Sequence, residues 1–317
     1  MPGPRRRPAP QPGQERNGGV AFAGRTRRPK VACFRTLESR ACATIQNVEI
    51  YLGTGGYSNE DWVGLLYPLE AKKDQWLSIY ARNFNAVELN ASFYHIPGSK
   101  AFAGMLRQSE GRVHWAVKIH QSMTHRRNAN DEDYRRLFES VAPLRKAGVL
   151  GPFLAQFPQS FHRTPENRKY LAALSQYFAD KTLAPGGLAV EFRHASWDNE
   201  DVREAFRKAG LTWVSTDYPP LPSLPKNQLH ITGEIAYIRL SGRNKEKWYQ
   251  GKDQSERHDY RYSEEELRFW VRSLLAALEQ ETLTQTWFIF NNTTKGHALV
   301  NLEMLRRLLE EAGLPVD

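Results

Sequence analysis

The sequence has only two cysteines among its 317 residues, Cys33 and Cys42, and both lie near its beginning. The remainder of the chain therefore has no disulfide bond, no thiolate metal site and no cysteine nucleophile. It also has no apolar run near the roughly 20 residues that a membrane-spanning helix needs, and no apolar segment typical of a secretory signal. These absences predict a soluble cytoplasmic protein that does not insert into a membrane.

The chain beyond residue 45 also lacks an excess of either charge. The formal net charge of +9 comes from 44 Lys and Arg against 35 Asp and Glu. Ten of these bases, but only Glu15 and Glu38 of the acids, lie within residues 1–45, which leaves 34 bases and 33 acids for the rest. The basic character of the whole chain is therefore no indication that the folded part binds nucleic acid.

Residues 1–45 are rich in Pro, Gly, Ala and Arg and poor in large apolar side chains. Such a segment cannot bury enough surface to offset the conformational entropy that it would lose on folding. We expect a disordered basic tail over 1–45 and one folded domain over 46–317. Three interpretations of the tail stay open: a targeting peptide, an arm that binds nucleic acid, and a dispensable extension or misassigned start.

Eight short β-rich runs alternate with amphipathic helical stretches from residue 48 onward. The predicted strands are 49–53, 86–90, 114–119, 153–157, 188–192, 211–216, 235–240 and 287–291. Helix starts are indicated by Thr164 ahead of Pro165 and by the capping box of Ser263 and Glu266. Regular alternation of strands and helices implies a parallel sheet.

Two architectures satisfy this alternation, the open doubly wound sheet and the closed (β/α)8 barrel. A dinucleotide-binding open sheet places a G-x-G-x-x-G motif after its first strand, but Gly53-Thr54-Gly55-Gly56 continues as Tyr57-Ser58. A barrel instead places polar functional side chains at the carboxyl ends of many strands. We therefore predict a single (β/α)8 TIM-type barrel, without a helix after the sixth strand because four prolines lie within residues 217–235.

Nearly every predicted strand ends in a polar side chain. Because side chains alternate between the two faces of a strand, Glu88 and Asn90 face opposite to Val87 and Leu89. The same alternation assigns one phase to Glu88, Lys118, Gln156, Glu191, Arg193, Asp217, Arg239 and Asn291. If that phase points inward, three acids and three bases meet at one mouth of the barrel, where barrel enzymes keep their chemistry. A purely structural ion-pair network is the alternative.

In this predicted site, carboxylates and one amine would carry proton transfer. The candidate catalytic residues are Glu88, Glu191, Asp217 and Lys118. Guanidinium groups suit a phosphate or carboxylate, which they grip with two parallel hydrogen bonds. The candidate substrate-binding residues are Arg193, Arg239, Arg243, Asn90, Tyr94, His125, Gln156, Trp197, Asn291 and Asn292. A plain loop position for His125, and a place in the barrel core for Tyr94 and Trp197, stay equally open.

Several motifs form a recognisable set. They include Gly53-Thr54-Gly55-Gly56-Tyr57-Ser58, Val87-Glu88-Leu89-Asn90-Ala91-Ser92-Phe93-Tyr94, Gln156-Phe157-Pro158, Glu191-Phe192-Arg193 and Phe290-Asn291-Asn292. Together they resemble the YecE-like family, known as domain of unknown function 72. The resemblance implies a TIM-type barrel from about residue 48 to about residue 312, and no particular reaction. The chain departs from the family pattern at Tyr57, Gly55 and Ser241, where Trp, Ser and His are usual.

The predicted function is that of a hydrolase or phosphoesterase acting on a phosphate-bearing, nucleotide-like or otherwise anionic small molecule. A metal-free sugar-phosphate isomerase or lyase is the alternative within enzymes. A binding or accessory protein that recognises a nucleotide, nucleic acid or protein partner is the alternative outside them. No cofactor is expected, because three cationic side chains would compete with a divalent metal for the carboxylates and inward histidines are scarce. A divalent metal held against a phosphodiester, as in metal-dependent barrel endonucleases, is the alternative.

Overall fold

The computed structural model describes Gly3 and residues 48–316. Eight strands lie in this part of the chain: β1 Glu49–Thr54, β2 Ala86–Leu89, β3 His114–Lys118, β4 Leu150–Gln156, β5 Leu188–Glu191, β6 Thr212–Asp217, β7 Ile235–Leu240 and β8 Gln285–Phe290. All eight predicted strands are present, and the largest difference is at β4, which begins at Leu150 rather than at residue 153. Apart from Gly3, the predicted tail lies outside the described residues, as do Cys33 and Cys42, and its disorder stays a prediction.

The strands close into one barrel in sequence order, from β1 to β8. Each strand pairs in parallel with its two neighbours, and the closing pair, β1 with β8, runs from Glu49 opposite Gln285 to Thr54 opposite Phe290. Because every strand has two partners, the sheet leaves no open edge. The closed parallel sheet with interleaved helices confirms the predicted (β/α)8 TIM-type fold.

The helices lie between the strands along the chain. They are α1 Trp76–Tyr80, α2 Ser99–Gln108, α3 Gln121–Thr124, α4 Asp131–Ser140, α5 Ala142–Lys146, α6 Pro165–Gln176, α7 Glu200–Ala209, α8 Lys247–Gln250, α9 Gln254–Arg257, α10 Glu264–Leu278 and α11 His297–Glu311. Short 3-10 turns occupy Glu60–Trp62, Lys73–Gln75, Ala91–Phe93, Ala195–Trp197 and Thr294–Gly296. The capping box predicted for Ser263 and Glu266 opens α10. None of the described helices is both long and apolar enough to cross a membrane.

The connection from β6 to β7 departs from the regular alternation. No helix lies within its described residues 218–234, as the prolines predict. The connection from β7 to β8 by contrast carries three helices, α8, α9 and α10, as the connection from β3 to β4 does with α3, α4 and α5. The two connections lie side by side on the barrel, since β6, β7 and β8 are neighbours in the sheet.

Three aromatic rings, Tyr51, Tyr237 and Trp287, fill the middle of the barrel and are called the aromatic floor below. The Trp287 ring lies 4.5 Å from Tyr51 and 6.1 Å from Tyr237 between ring centroids. Gly151 makes room for Trp287, since a Cβ at that position would come within 2.4 Å of the indole. All three rings are nearly or fully buried, so the barrel is packed solid at this level.

Candidate active site

A cavity opens at the carboxyl ends of the strands, above the aromatic floor. On β2 and β5 the core residues Ala86 and Ala189 are followed two positions later by Glu88 and Glu191, which therefore share the inward phase. The cavity has a volume of about 340 Å³, and it is lined by Gly55, Asn90, Phe93, Tyr94, Lys118, His125, Gln156, Arg193, Arg239, Ser241, Ser255, His258, Asn291, Thr293 and Thr294. Eight of the fourteen predicted site residues are in this lining, and the two glutamates join it through Arg239.

Arg239 holds both inward carboxylates. Its Nε and Nη2 donate to the two oxygens of Glu88 at 2.7 and 2.6 Å, and its Nη1 donates to Glu191. A further bond runs from Nη2 to Asn291 Oδ1 at 3.2 Å. Four of the five N–H donors of the guanidinium are thus in use. Arg239 lines the cavity as predicted, but one donor is left for a ligand.

Two tyrosines complete the binding of the glutamates. Tyr237 donates to Glu88 at 2.9 Å, and Tyr218 donates to Glu191. Burial alone would raise the pKa of Glu191, but the charges of Arg239 and Arg193 outweigh it and lower that pKa to about 2. Glu191 is therefore ionised at neutral pH and is too weak a base to accept a proton readily.

Arg193 lies at the edge of this ion-pair cluster. Its Nε lies 3.3 Å from Glu191 Oε1, and its side chain keeps 18% of its surface exposed. Among the described residues, its two Nη groups have no hydrogen-bond acceptor, although the residue lines the cavity. Arg193 therefore presents a charged pair of donors of the kind that grips a phosphate or carboxylate.

Lys118 is the cation without a carboxylate. Its Nζ donates to Gln156 Oε1 at 2.9 Å and lies 4.6 Å from the centroid of the Phe93 ring. Within the described part of the chain, no carboxylate oxygen comes within 4.0 Å of it. Burial, followed by the positive charges of Arg239 and Arg193, lowers the pKa of Lys118 to about 7. The amine is therefore poised to gain or lose a proton near neutral pH.

His258 is a cavity residue that the sequence pattern missed. It lies between α9 and α10, far along the chain from any strand end, and its Nδ1 donates to the backbone carbonyl of Ser241. This bond places the proton on Nδ1 and leaves the lone pair on Nε2. Burial, with Arg193 and Arg239 nearby, lowers the pKa of His258 to about 4, so the ring is neutral at pH 7. No local motif in its sequence marks this role.

Two amides, which directly follow β2 and β8, offer unused hydrogen-bonding atoms. Among the described residues, Asn90 Oδ1 and Asn291 Nδ2 are buried without a partner, and both side chains line the cavity. Ser241 Oγ, on the same wall, is also unpartnered. Gly55 allows this arrangement, because an added Cβ would lie 2.2 Å from Asn291 Oδ1 and 2.8 Å from Asn90 Nδ2. These atoms can orient a polar ligand.

The predicted position of Asp217 is wrong. Val214 faces the barrel core, so Thr216 shares its inward phase and Asp217 points outward. There its carboxylate accepts from Arg243 Nε and Nη2 at 2.6 and 2.7 Å and from Trp270 Nε1 at 2.6 Å. Arg243 also pairs with Glu266 at 3.0 Å. Asp217 and Arg243 thus tie β6 to α10 and leave the cavity to other side chains.

Two other predicted residues also lie away from the cavity. Trp197 is 2% exposed, stacks on Phe192 and donates its Nε1 to the Phe161 carbonyl at 2.7 Å. Asn292 is fully buried and donates to the Tyr260 carbonyl at 2.8 Å and to Asn301 at 3.0 Å. Neighbours bind Trp197 Nε1 and Asn292 Nδ2, while Asn292 Oδ1 has no partner among the described residues. Both side chains are buried and neither is in the cavity lining, so they are core residues.

Two further predictions lie in the cavity wall. Tyr94 is 64% exposed at the rim, where its ring makes an edge contact with Phe93. His125 meets the other side of Phe93, and Thr124 Oγ1 lies 3.0 Å from its Nδ1. Burial, followed by the charges of Lys118 and Arg193, lowers the pKa of His125 to about 4. A neutral histidine and a tyrosine thus border the cationic wall.

The donor set of the cavity bears on metal binding. Within the described residues, no three His, Cys, Asp or Glu side chains lie together as metal ligands would. The lining contributes His125 and His258, while Glu88 and Glu191 are already bound to Arg239. Such a cavity suits an anion better than a cation.

The closed parallel barrel defines this chain as a TIM-barrel protein. Its candidate site lies at the carboxyl ends of the strands, where polar residues gather. The chain is more specific than that class. It belongs to the family described as "Protein of unknown function DUF72", whose model matches residues 51–316. It is 30% identical over 279 residues to the UPF0759 protein YunF of Bacillus subtilis (strain 168), a match that covers 82% of this chain and 95% of YunF.

Solved structures of the same family share the fold. A DUF72 family protein of Thermotoga maritima, TM1631, is 36% identical with a TM-score of 0.74, over 83% of this chain and 99% of its own. A DUF72 family protein of Enterococcus faecalis V583, EF0366, is 24% identical with a TM-score of 0.72, over 82% and 95%. The family and its TIM-barrel fold are thus established, and the resemblance drawn from the motifs is confirmed.

Proposed function

We propose that the protein is a TIM-barrel enzyme that acts on a small phosphate-bearing or otherwise anionic substrate in the cavity. The observation that carries this proposal is a difference in hydrogen bonding among three cations of the cavity lining, Arg239, Arg193 and Lys118. Four of the five Arg239 donors are bound to Glu88, Glu191 and Asn291. Arg193 uses its Nε on Glu191 and Lys118 donates to Gln156, so within the described residues the two Arg193 Nη groups and the remaining Lys118 donors stay available to a ligand. An anion would find the two Nη groups of Arg193 and the amine of Lys118 in the cavity lining, beside two carboxylates that Arg239 and Arg193 together neutralise.

Lys118, rather than a glutamate, is the proposed proton-transfer group. A hydrolase or phosphoesterase needs a group that takes a proton from water near neutral pH. Glu191, with a pKa near 2, is a poor acceptor, while the pKa of Lys118, at about 7, is suited to the task. This assignment keeps the hydrolase proposal and chooses Lys118 on β3, among the four candidate catalytic residues, as its general base.

A metal-free isomerase or lyase acting on a sugar phosphate is the second candidate. It is favoured by two unpartnered amide atoms: Asn90 Oδ1 can accept from a substrate hydroxyl, and Asn291 Nδ2 can donate to a developing enolate oxygen. In this scheme Arg193 would hold the phosphate and Lys118 would move a proton on the substrate carbon. Both candidates place the same residues in the same cavity and differ only in the bond that breaks.

The first experiment measures anion binding. Calorimetric titration with inorganic phosphate or sulfate should give saturable binding to the parent protein, and Arg193→Met should weaken it by roughly tenfold or more, with the largest difference at low salt. Arg168→Met is the matched control, since Arg168 is exposed and lies outside the cavity. Equal affinity in all three proteins would refute the anionic-substrate proposal.

The second experiment looks for turnover. A set of phosphoesters and sugar phosphates, assayed with and without divalent ions, should include a substrate whose conversion is lost in Lys118→Met. Anion binding in the absence of any turnover across the set would favour the non-catalytic binding protein.

A further inference from the structure

We propose that Lys118 is a nucleophile that forms an imine with an aldehyde or ketone carbon of the anionic substrate. This inference rests on the proposed function, since it takes the anion site as given and adds a carbonyl to the ligand. It assigns to the cavity a substrate class, small anionic carbonyl compounds, and a covalent intermediate.

The surroundings of Lys118 favour its neutral, nucleophilic form. The positive groups of Arg193 and Arg239 and the neutral ring of His125 face it, while Glu88 and Glu191 are occupied by Arg239. Structural lysines inside a protein are normally paired with a carboxylate, whereas within the described residues this one donates to an amide oxygen. A lysine held among cations and largely removed from water is the arrangement by which proteins activate an amine for imine formation.

The contacts also fix where the amine lies. Gln156 accepts a hydrogen bond from Nζ, and the centroid of the Phe93 ring lies 4.6 Å from the same nitrogen. Both neighbours line the cavity, so the amine faces the space that the substrate would occupy. With its pKa at about 7, roughly half of Lys118 is neutral at pH 7, about a thousandfold more than of an exposed lysine.

The proposed step balances without an added reagent. The Nζ lone pair attacks the carbonyl carbon, the carbonyl π electrons move to oxygen, and one proton passes from nitrogen to that oxygen to give a carbinolamine. Protonation of the hydroxyl then expels water as the nitrogen lone pair forms the C=N bond. Amine and carbonyl thus become a protonated imine and water, with the proton drawn from solvent. The cationic nitrogen can then accept electrons from a neighbouring C–H or C–C bond, as isomerase or lyase chemistry requires.

Two probes that differ by one phosphate test the proposal. Pyridoxal 5′-phosphate and pyridoxal both carry an aldehyde, and only the first is an anion of the proposed class. The full chain is treated with each at pH 7, reduced with borohydride, digested and mapped by mass spectrometry. Pyridoxal 5′-phosphate should label Lys118 roughly tenfold or more faster than the exposed Lys100, and excess inorganic phosphate should protect Lys118. Pyridoxal should show less preference.

Two variants test whether the label depends on the Lys118 amine itself. Lys118→Arg should lose the preferred label, while Lys100→Arg, whose side chain lies on the outer helix α2, should keep it. Mapping the parent protein gives the answer even if a variant folds poorly. Phosphate binding with Lys118 left unlabelled while exposed lysines react would overturn the imine and leave the anion site intact. Loss of both phosphate binding and labelling would overturn the imine together with the proposed function.

Discussion

Arg239 and Glu88 lie 151 residues apart in the chain and meet inside the barrel through two hydrogen bonds of 2.7 and 2.6 Å. Arg239 is on β7 and Glu88 on β2, strands that are separated in the ring by β8 and β1. The pair therefore spans the interior and joins opposite walls without any backbone contact. Since Arg239 also holds Glu191 on β5, one guanidinium links three parts of the barrel.

Replacing Arg239 should destabilise the fold strongly. Arg239→Met would leave Glu88 fully buried without its cation and Glu191 with the 3.3 Å contact to Arg193, and breaking such a buried pair typically costs about 3–5 kcal/mol. Urea denaturation at neutral pH measures the loss. The control is Arg272→Met, because Arg272 pairs with Glu265 on the protein surface and should change the free energy of unfolding by about 1 kcal/mol or less. Similar losses in both variants would contradict the interior role.

The pH dependence of the free energy of unfolding should reveal the lowered pKa of Lys118. Its pKa is lowered from 10.5 to about 7 in the folded protein, so between these values the unfolded chain binds a proton that the folded chain does not. Stability from this group therefore rises as the pH rises from 7 to 10.5, and the cost of burying the charge is present in full below pH 7. Lys118→Met should accordingly gain most over the parent below pH 7.

That gain is measured as the difference in unfolding free energy between Lys118→Met and the parent across the same pH range. It should be on the order of a few kcal/mol at its largest and shrink towards pH 10.5. Lys100→Met serves as the comparison, since it removes an exposed lysine. A difference that stays flat with pH would show that the amine keeps its ordinary pKa.

Asp217 should matter for stability and leave anion binding untouched. Asp217→Asn keeps the shape of the side chain but removes the charge that Arg243 and Trp270 bind, which should cost about 2–4 kcal/mol. The affinity for inorganic phosphate should stay within about twofold of the parent value, because Asp217 faces away from the cavity. If the variant were fully folded by circular dichroism but did not bind phosphate, Asp217 would contribute to the binding site after all.

Gly55 should be required for the positions of the Asn90 and Asn291 side chains in the cavity. A Cβ in Gly55→Ala would lie 2.2 Å from Asn291 Oδ1, so Asn291 must move away from Arg239, at a cost of about 1–3 kcal/mol. Phosphate affinity should fall with it, as calorimetry can show. Gly104→Ala is the opposite case, because Gly104 lies within α2 with space around it, and that change should stabilise the protein by about 0.5–1 kcal/mol.

The sequence predicted the barrel well because its strands are marked twice, by β-rich runs and by polar ends. Alternation alone placed Glu88, Lys118 and Glu191 correctly on the inward face. It failed at Asp217, because β6 is polar on both faces: Ser215 and Thr216 are neighbours, and hydrophobicity does not show which of them faces the core. The inward phase became clear only from the packing of Val214 in the interior.

The other differences have equally local causes. Trp197 follows β5 closely enough to reach the mouth, and only its stacking on Phe192 shows that it belongs to the outer core. His258 comes from the long connection between β7 and β8, so its approach to the Ser241 carbonyl depends on how α8 and α9 fold back over the barrel. A period-two pattern carries no information on such a return of the chain.

The aromatic floor gives the cavity the geometry of a well. Tyr51, Tyr237 and Trp287 seal the barrel beneath the charged residues, so a small molecule enters and leaves the cavity on the same side, at the carboxyl ends of the strands. Incoming and outgoing molecules then compete for one passage, and the departing molecule must clear Arg193 and Lys118 before the next can bind. If the reaction leaves the anionic group on the product, that product should bind in the same cavity and inhibit competitively. We then expect product release, rather than bond breaking, to be the slow step.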